Sequence, residues 1–210
     1  MQSTSSRDQS DSILRNACVM VDNKMTKTVG EHWVCATLAR HGWAPALTRD
    51  GIARTDILAV GTHLDNRPMV EIQVKTATDI GSRTSWPLGG ITGLVAESEH
   101  EWFVLVILPK LPAPPRAFVA PRDHVSAAQW IVHENWRTDP SVPKGKRNAP
   151  MSRARLEQMI MKGYEDRWDL LGAPTSTVAV LLPGWLRQRS QEDRVGLPSA
   201  HPWNEGLPTW

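Results

Sequence analysis

Cysteine is scarce in this chain. Cys18 and Cys35 are the two present among 210 residues, and they form no Cys-x-x-Cys pair. Neither a cysteine zinc site nor a dithiol redox motif is indicated. Long apolar runs are also lacking. The longest, Phe103–Leu108 and Val178–Leu182, are far too short to span a bilayer. The opening residues MQSTSSRDQSDS are polar and carry no apolar signal segment. A cytoplasmic protein with no membrane partner is therefore expected. There is little net charge: 24 Lys and Arg oppose 22 Asp and Glu, for +2. A balance this even leaves nucleic-acid binding to local patches. The seven histidines show no paired ligand spacing, which disfavours a histidine zinc enzyme. No Gly-x-x-x-x-Gly-Lys-Ser/Thr stretch is present, so an ATP-driven motor is not expected. No serine or threonine sits in a nucleophile elbow.

What is present is the composition of a globular domain, 40% hydrophobic and 22% charged, with tryptophan enriched to ten copies. Residues 1–22 read as a disordered tail, 23–172 as one domain, and 173–210 as a partly disordered extension. A helix is expected from Thr26 to His41, stopping at Gly42, with Val29, Trp33, Val34, Leu38 and Ala39 on its apolar face. Glu31 falls on or beside that face, an odd place for a solvated acid. Cys35 shares the face and reads as a small core residue.

Strands are expected at Ala44–Leu47, Thr55–Val60, Met69–Thr76, Trp102–Leu108 and Ala117–Ala120. Arg49-Asp50-Gly51 reads as a turn. The turn-rich connector from Gly61 to Pro68 marks the second and third strands as a hairpin. Residues 79–93, with four glycines and a proline, read as a loop. Pro121 opens a helix running through Trp136, with Asp123 in its first turn. A further long helix is expected over Ser152–Leu171, and a short one over Pro183–Asp193. The order implies a mixed central β-sheet flanked by helices, in the α/β class.

The segment Glu71-Ile72-Gln73-Val74-Lys75-Thr76 carries the most chemistry. Strand alternation puts Glu71, Gln73 and Lys75 on one face. Pairing with the strand that begins at Asp56 brings a carboxylate beside that polar triplet. Magnesium takes oxygen ligands and keeps several waters, so one or two protein oxygens and a substrate phosphate suffice. Asp56 offers a carboxylate and Gln73 an amide carbonyl, with Glu71 two residues away as a further ligand or a water holder. A metal there polarises a phosphodiester. Lys75 is placed to offset developing negative charge, and Glu31 to orient a water or Lys75.

The segments TVGEHWVCATLARHGW, TDILAV and VEIQVKT together resemble the core of the PD-(D/E)XK nuclease superfamily. There a helix bearing Glu precedes an acid that starts a hairpin strand, and acid-x-Lys lies on its partner. Glu31, Asp56 and Lys75 match. The second signature position is Gln73 where an acid is usual, as in branches similar to Mrr-type restriction endonucleases. Thr55 stands where proline often precedes the acid. The resemblance covers about residues 25–120. It implies a restriction-endonuclease-like core and a Mg²⁺-dependent endonuclease cutting DNA, with Mn²⁺ as a substitute ion, acting in restriction, defence or repair. Enzymes that cut both strands often act as dimers, so a homodimer is one expected assembly. The alternative is a catalytically inactive module on the same scaffold that binds nucleic acid or a protein. An amide in place of an acid points that way, because it carries no net charge.

Two groups are candidates for touching DNA. Arg83, Ser85 and Trp86 follow the Lys75 strand, and Trp86 is either a base-stacking or a packing residue. Lys144, Lys146 and Arg147 form a basic loop that reads equally as a phosphate-backbone contact or as a solvated charge run. The acid-rich stretch Tyr164–Leu171 is assigned local ion pairs and docking, with no catalytic role.

Overall fold

The computed structural model describes residues 22–49, 54–89 and 95–210. The expected tail up to residue 21 and most of the expected turn at 49–51 lie outside them. Helix α1 (Asn23–Arg40) leads into strand β1 (Trp43–Leu47). Strand β2 (Ile57–Gly61) and strand β3 (Met69–Thr78) follow, then a short β4 (Ser85–Pro87). Strand β5 (Glu101–Leu108) and strand β6 (Arg116–Pro121) complete the main sheet, and β6 runs directly into helix α2 (Arg122–Arg137). A short β7 (Arg155–Glu157) and a seven-residue helix α3 (Gly184–Ser190) come later.

The sheet has five strands in the order β1-β2-β3-β5-β6. Three strands form an antiparallel meander, β5 lies parallel to β3, and β6 is antiparallel to β5. This is the mixed α/β architecture expected. A separate two-stranded ribbon pairs β4 with β7. Seven of the eight residues of β5 are buried, as a central strand covered on both faces must be.

Each sheet face has its own core. Under α1 lie Val34, Leu38, Ile57, Ile72, Val74, Val104 and Trp168. Under α2 and α3 lie Trp86, Phe103, Leu105, Phe118, Val125, Ile131, Leu186 and Trp203. The buried stripe of α1 is Thr26, Gly30, Val34 and Leu38. It is narrower than expected: Val29 is 46% exposed and Ala39 is exposed. Spacing by four keeps one residue per turn against the sheet. At Gly30 the helix touches β3, where a Cβ would come within 1.9 Å of Thr76 Oγ1.

Three expectations are corrected. Residues 152–171 form no long helix. Instead Met151–Arg153, Lys162–Tyr164 and Trp168–Gly172 are single 3₁₀ turns, and Arg155–Glu157 is a strand. The loop expected at 79–93 contains that strand's partner, β4. Residues 173–210, expected to be partly loose, supply Val180, Leu182, Leu186, Val195 and Trp203 to the core. Among the described residues, no helix is long and apolar enough to cross a membrane.

Candidate active site

Asp56 stands one residue before β2, where that strand meets β3. Its backbone N–H donates to Ile72 O at 2.9 Å, and its own carbonyl accepts from Thr48 N at 2.9 Å. The ladder is thus extended one residue beyond β2. Past that point the Asp56 side chain takes over, and its Oδ2 accepts the Val74 N–H at 2.8 Å. A carboxylate therefore sits at the split between two strands, its orientation set by a backbone donor that has no β2 carbonyl opposite.

Helix α1 brings the second carboxylate. Lys27 Nζ lies 3.3 Å from Glu31 Oε1 and 3.8 Å from Asp56 Oδ1, so one ammonium bridges both acids. Glu31 Oε1 is buried and accepts no hydrogen bond. Burial pushes the Glu31 carboxyl above the ordinary range; Lys27 pulls it back, and the neighbouring Asp56 carboxylate pushes it up again. The ammonium of Lys75 is held below its usual pKa, first by burial and then by the like charges of Lys27 and Arg122, against the opposing pull of Asp56 and Glu31. Lys75, Lys27, Asn23, Thr26 and Pro87 line a hollow of about 270 Å³ beside the acid pair. Glu31, Asp56 and Lys75 thus share one electrostatic neighbourhood.

Gln73 faces elsewhere. Its Oε1 accepts from Arg122 Nη2 at 3.3 Å. A guanidinium only donates, so the oxygen must be the atom that meets it. The carbonyl of Gln73, expected among the metal ligands, is thus engaged by Arg122. Arg122 is 1% exposed and lies under the sheet, its Nε 2.6 Å from Glu101 Oε2 and its guanidinium 4.9 Å from the centre of the Phe103 ring. Arg54 joins the same carboxylate oxygen at 2.7 Å. Burial pushes Glu101 up, but the Glu97 N–H and the two guanidiniums outweigh it and hold the group below the usual carboxylate range. Sequence reasoning missed Arg122 and Glu101. The signal available was an acid and an arginine at the ends of apolar runs, which has no meaning until β5 and α2 meet. Glu71 also turns aside, and its Oε2 accepts from Thr55 Oγ1 at 2.8 Å.

Comparison with family models, curated proteins and solved structures returns no match.

Among the described residues, no group of three or more His, Cys, Asp or Glu side chains is arranged to hold a metal ion. Two carboxylates are what remain, Glu31 and Asp56. That pair suits Mg²⁺, which commonly takes one or two protein carboxylates and completes its octahedron with water and phosphate oxygens. Glu31 Oε1, buried and already facing the Lys27 ammonium, is the atom best fitted to a cation.

The candidate DNA contacts divide. Trp86 is wholly buried, donates its Nε1–H to Val106 O at 2.8 Å and packs edge-on to Phe118, so its faces are closed to a base. Ser85 Oγ accepts from Arg155 Nε at 2.9 Å within the ribbon. Arg83 is exposed in the turn before β4, the strand whose Pro87 borders the hollow. Lys144 and Lys146 are exposed, whereas Arg147 is tied to Trp136 O at 2.7 Å and to Asp139 at 3.1 Å. Their loop borders a larger hollow of about 1170 Å³ at the end of α2. Of the charged residues lining that hollow, Arg137 pairs with Glu134 and Arg147 with Asp139, and Lys144 stands beside them.

Proposed function

We propose that this chain is a metal-dependent nuclease that hydrolyses DNA phosphodiester bonds. Glu31 and Asp56 hold a divalent ion, and Lys75 offsets charge on the phosphate. The observation that carries this reading is the meeting of two carboxylates and a partly desolvated lysine where β2 parts from β3. The order of elements supports it: a Glu-bearing helix, an acid that opens a hairpin strand, and a lysine on the partner strand. That order resembles the restriction-endonuclease-like core.

Bound Mg²⁺ supplies Lewis-acid polarisation of the phosphodiester. The chain's own residues do the rest. Asp56 is fixed by the Val74 N–H, so little reorganisation accompanies binding. Glu31, half-buried and raised in pKa by desolvation, is suited to orient a water at the ion it helps to hold. Lys75 sits in a low-dielectric wall, where an ammonium acts on a developing oxyanion more strongly than it would in water. Arg122 holds Gln73 in place beneath the site. Arg83, Lys144 and Lys146 are exposed cations available to the phosphate backbone.

A second reading is favoured by two specific contacts: Lys27 bridges the acids, and Arg122 engages Gln73. On that reading the pair is internally neutralised and the scaffold binds DNA without cutting it. Plasmid incubated with Mg²⁺ and protein separates the two. Wild-type protein is expected to nick or linearise DNA, and Lys75→Ala to do so about a hundredfold more slowly. Equal persistence of plasmid with both proteins, alongside salt-sensitive DNA binding, selects the non-cutting module.

A further inference from the structure

We propose that Lys27 is an exchangeable counter-ion that occupies the position of the divalent cation and must leave when that cation enters. The inference rests on the reading of Glu31 and Asp56 as metal ligands, and names the chain's own competitor for them. Two carboxylates held together by α1 and β2 repel unless a positive charge lies between them. The Lys27 ammonium lies there, 3.3 Å from Glu31 and 3.8 Å from Asp56. Those separations are ion-pair contacts.

Three features make Lys27 removable. Its side chain is 52% exposed, so it is not locked by packing. It sits one turn before Glu31 on the same helix, so it reaches the acids by its flexible stem and leaves without backbone movement. It also borders the 270 Å³ hollow shared with Lys75. A displaced ammonium therefore has an adjoining space in which it faces the same phosphate as Lys75. Asp56 keeps its backbone anchor throughout, because Oδ2 is held by Val74 and Oδ1 is the oxygen toward Lys27.

The test is calorimetric titration with Mn²⁺ alone, at neutral pH, on the full chain as wild type, Lys27→Met, Lys27→Arg and Asp56→Asn. Thermal unfolding of each confirms the fold. Removal of a charge that competes at contact distance is expected to tighten Mn²⁺ binding about tenfold in Lys27→Met. Lys27→Arg, which keeps the cation, should stay near wild type, and Asp56→Asn should lose uptake. If wild type binds Mn²⁺ and Lys27→Met binds equally or more weakly, the counter-ion role is wrong while the metal site stands. If neither binds Mn²⁺, both the counter-ion role and the metal-dependent function are overturned.

Discussion

Glu101→Gln is expected to lower unfolding free energy by about 3–5 kcal/mol. The substitution is nearly isosteric, so the loss is electrostatic and not a cavity effect. Glu101 is 3% exposed and faces two guanidiniums, with Arg122 at 2.6 Å and Arg54 at 2.7 Å. Its Oε1 also accepts the N–H of Glu97 at 2.6 Å. Removal of the nearest negative charge leaves Arg122, itself 1% exposed, beside the like charge of Arg54 with only the weaker pull of Asp123. Replacing Glu101→Leu together with Arg122→Met should cost less, because the fully buried cation leaves with its partner and Arg54 keeps Glu97 at 3.3 Å. Denaturant midpoints for the single and double variants check this. A loss below about 1 kcal/mol in Glu101→Gln would mean that water reaches Arg122. The same substitution loosens the hold of Arg122 on Gln73, so cleavage should fall even under conditions where the fold persists.

The second large effect is expected at Gly30. A Cβ there would stand 1.9 Å from Thr76 Oγ1 and 3.0 Å from Thr76 Cβ and Cγ2. Gly30→Ala cannot be absorbed by a rotamer change alone, and α1 must lift from β3. A cost of about 3 kcal/mol is expected, at the upper end of ordinary overpacking. Pairing it with Thr76→Ala removes Oγ1 and Cγ2, two of the three atoms in close approach, and should restore much of the stability. Thr76→Ser retains Oγ1 and should restore little. Because Glu31 is the next residue, lifting α1 also separates the acid pair. Mn²⁺ uptake should weaken in Gly30→Ala and recover with Thr76→Ala. Recovery of stability without recovery of uptake would detach Glu31 from the metal site.

Much of the sheet was legible because period-two alternation and turn residues are local. Ile57, Ala59, Val70 and Ile72 are buried on one face, as the β2–β3 hairpin reading required. The neighbourhood of Glu31, Asp56 and Lys75 was legible too, since it needs only a helix followed by that hairpin. Gln73 was not. Its place on the strand followed from alternation, but its partner Arg122 lies on α2 and is set by how β6 enters that helix. The long helix expected over 152–171 failed for a different reason. Leu156, Tyr164 and Trp168 are all buried, at intervals that are multiples of four, which matches a helical stripe. Here successive short turns present them to the core instead. Asp166 at φ 55° and the pairing of Arg155–Glu157 with β4 interrupt any helix. Trp86 sits in a glycine-rich stretch that reads as a loop, where base stacking and packing were both open to it. Its burial comes from that same β4–β7 ribbon, a pairing across some 70 residues that leaves no local trace.

Anomalous scattering from crystals soaked in Mn²⁺ tests the central claim most directly. The expected density peak lies between Glu31 and Asp56, about 2.0–2.2 Å from a carboxylate oxygen of each. Lys27 should have moved away, and Gln73 should still meet Arg122. A peak held by Glu71 or Gln73 without Glu31, or no peak near Asp56 at millimolar Mn²⁺, would contradict the account.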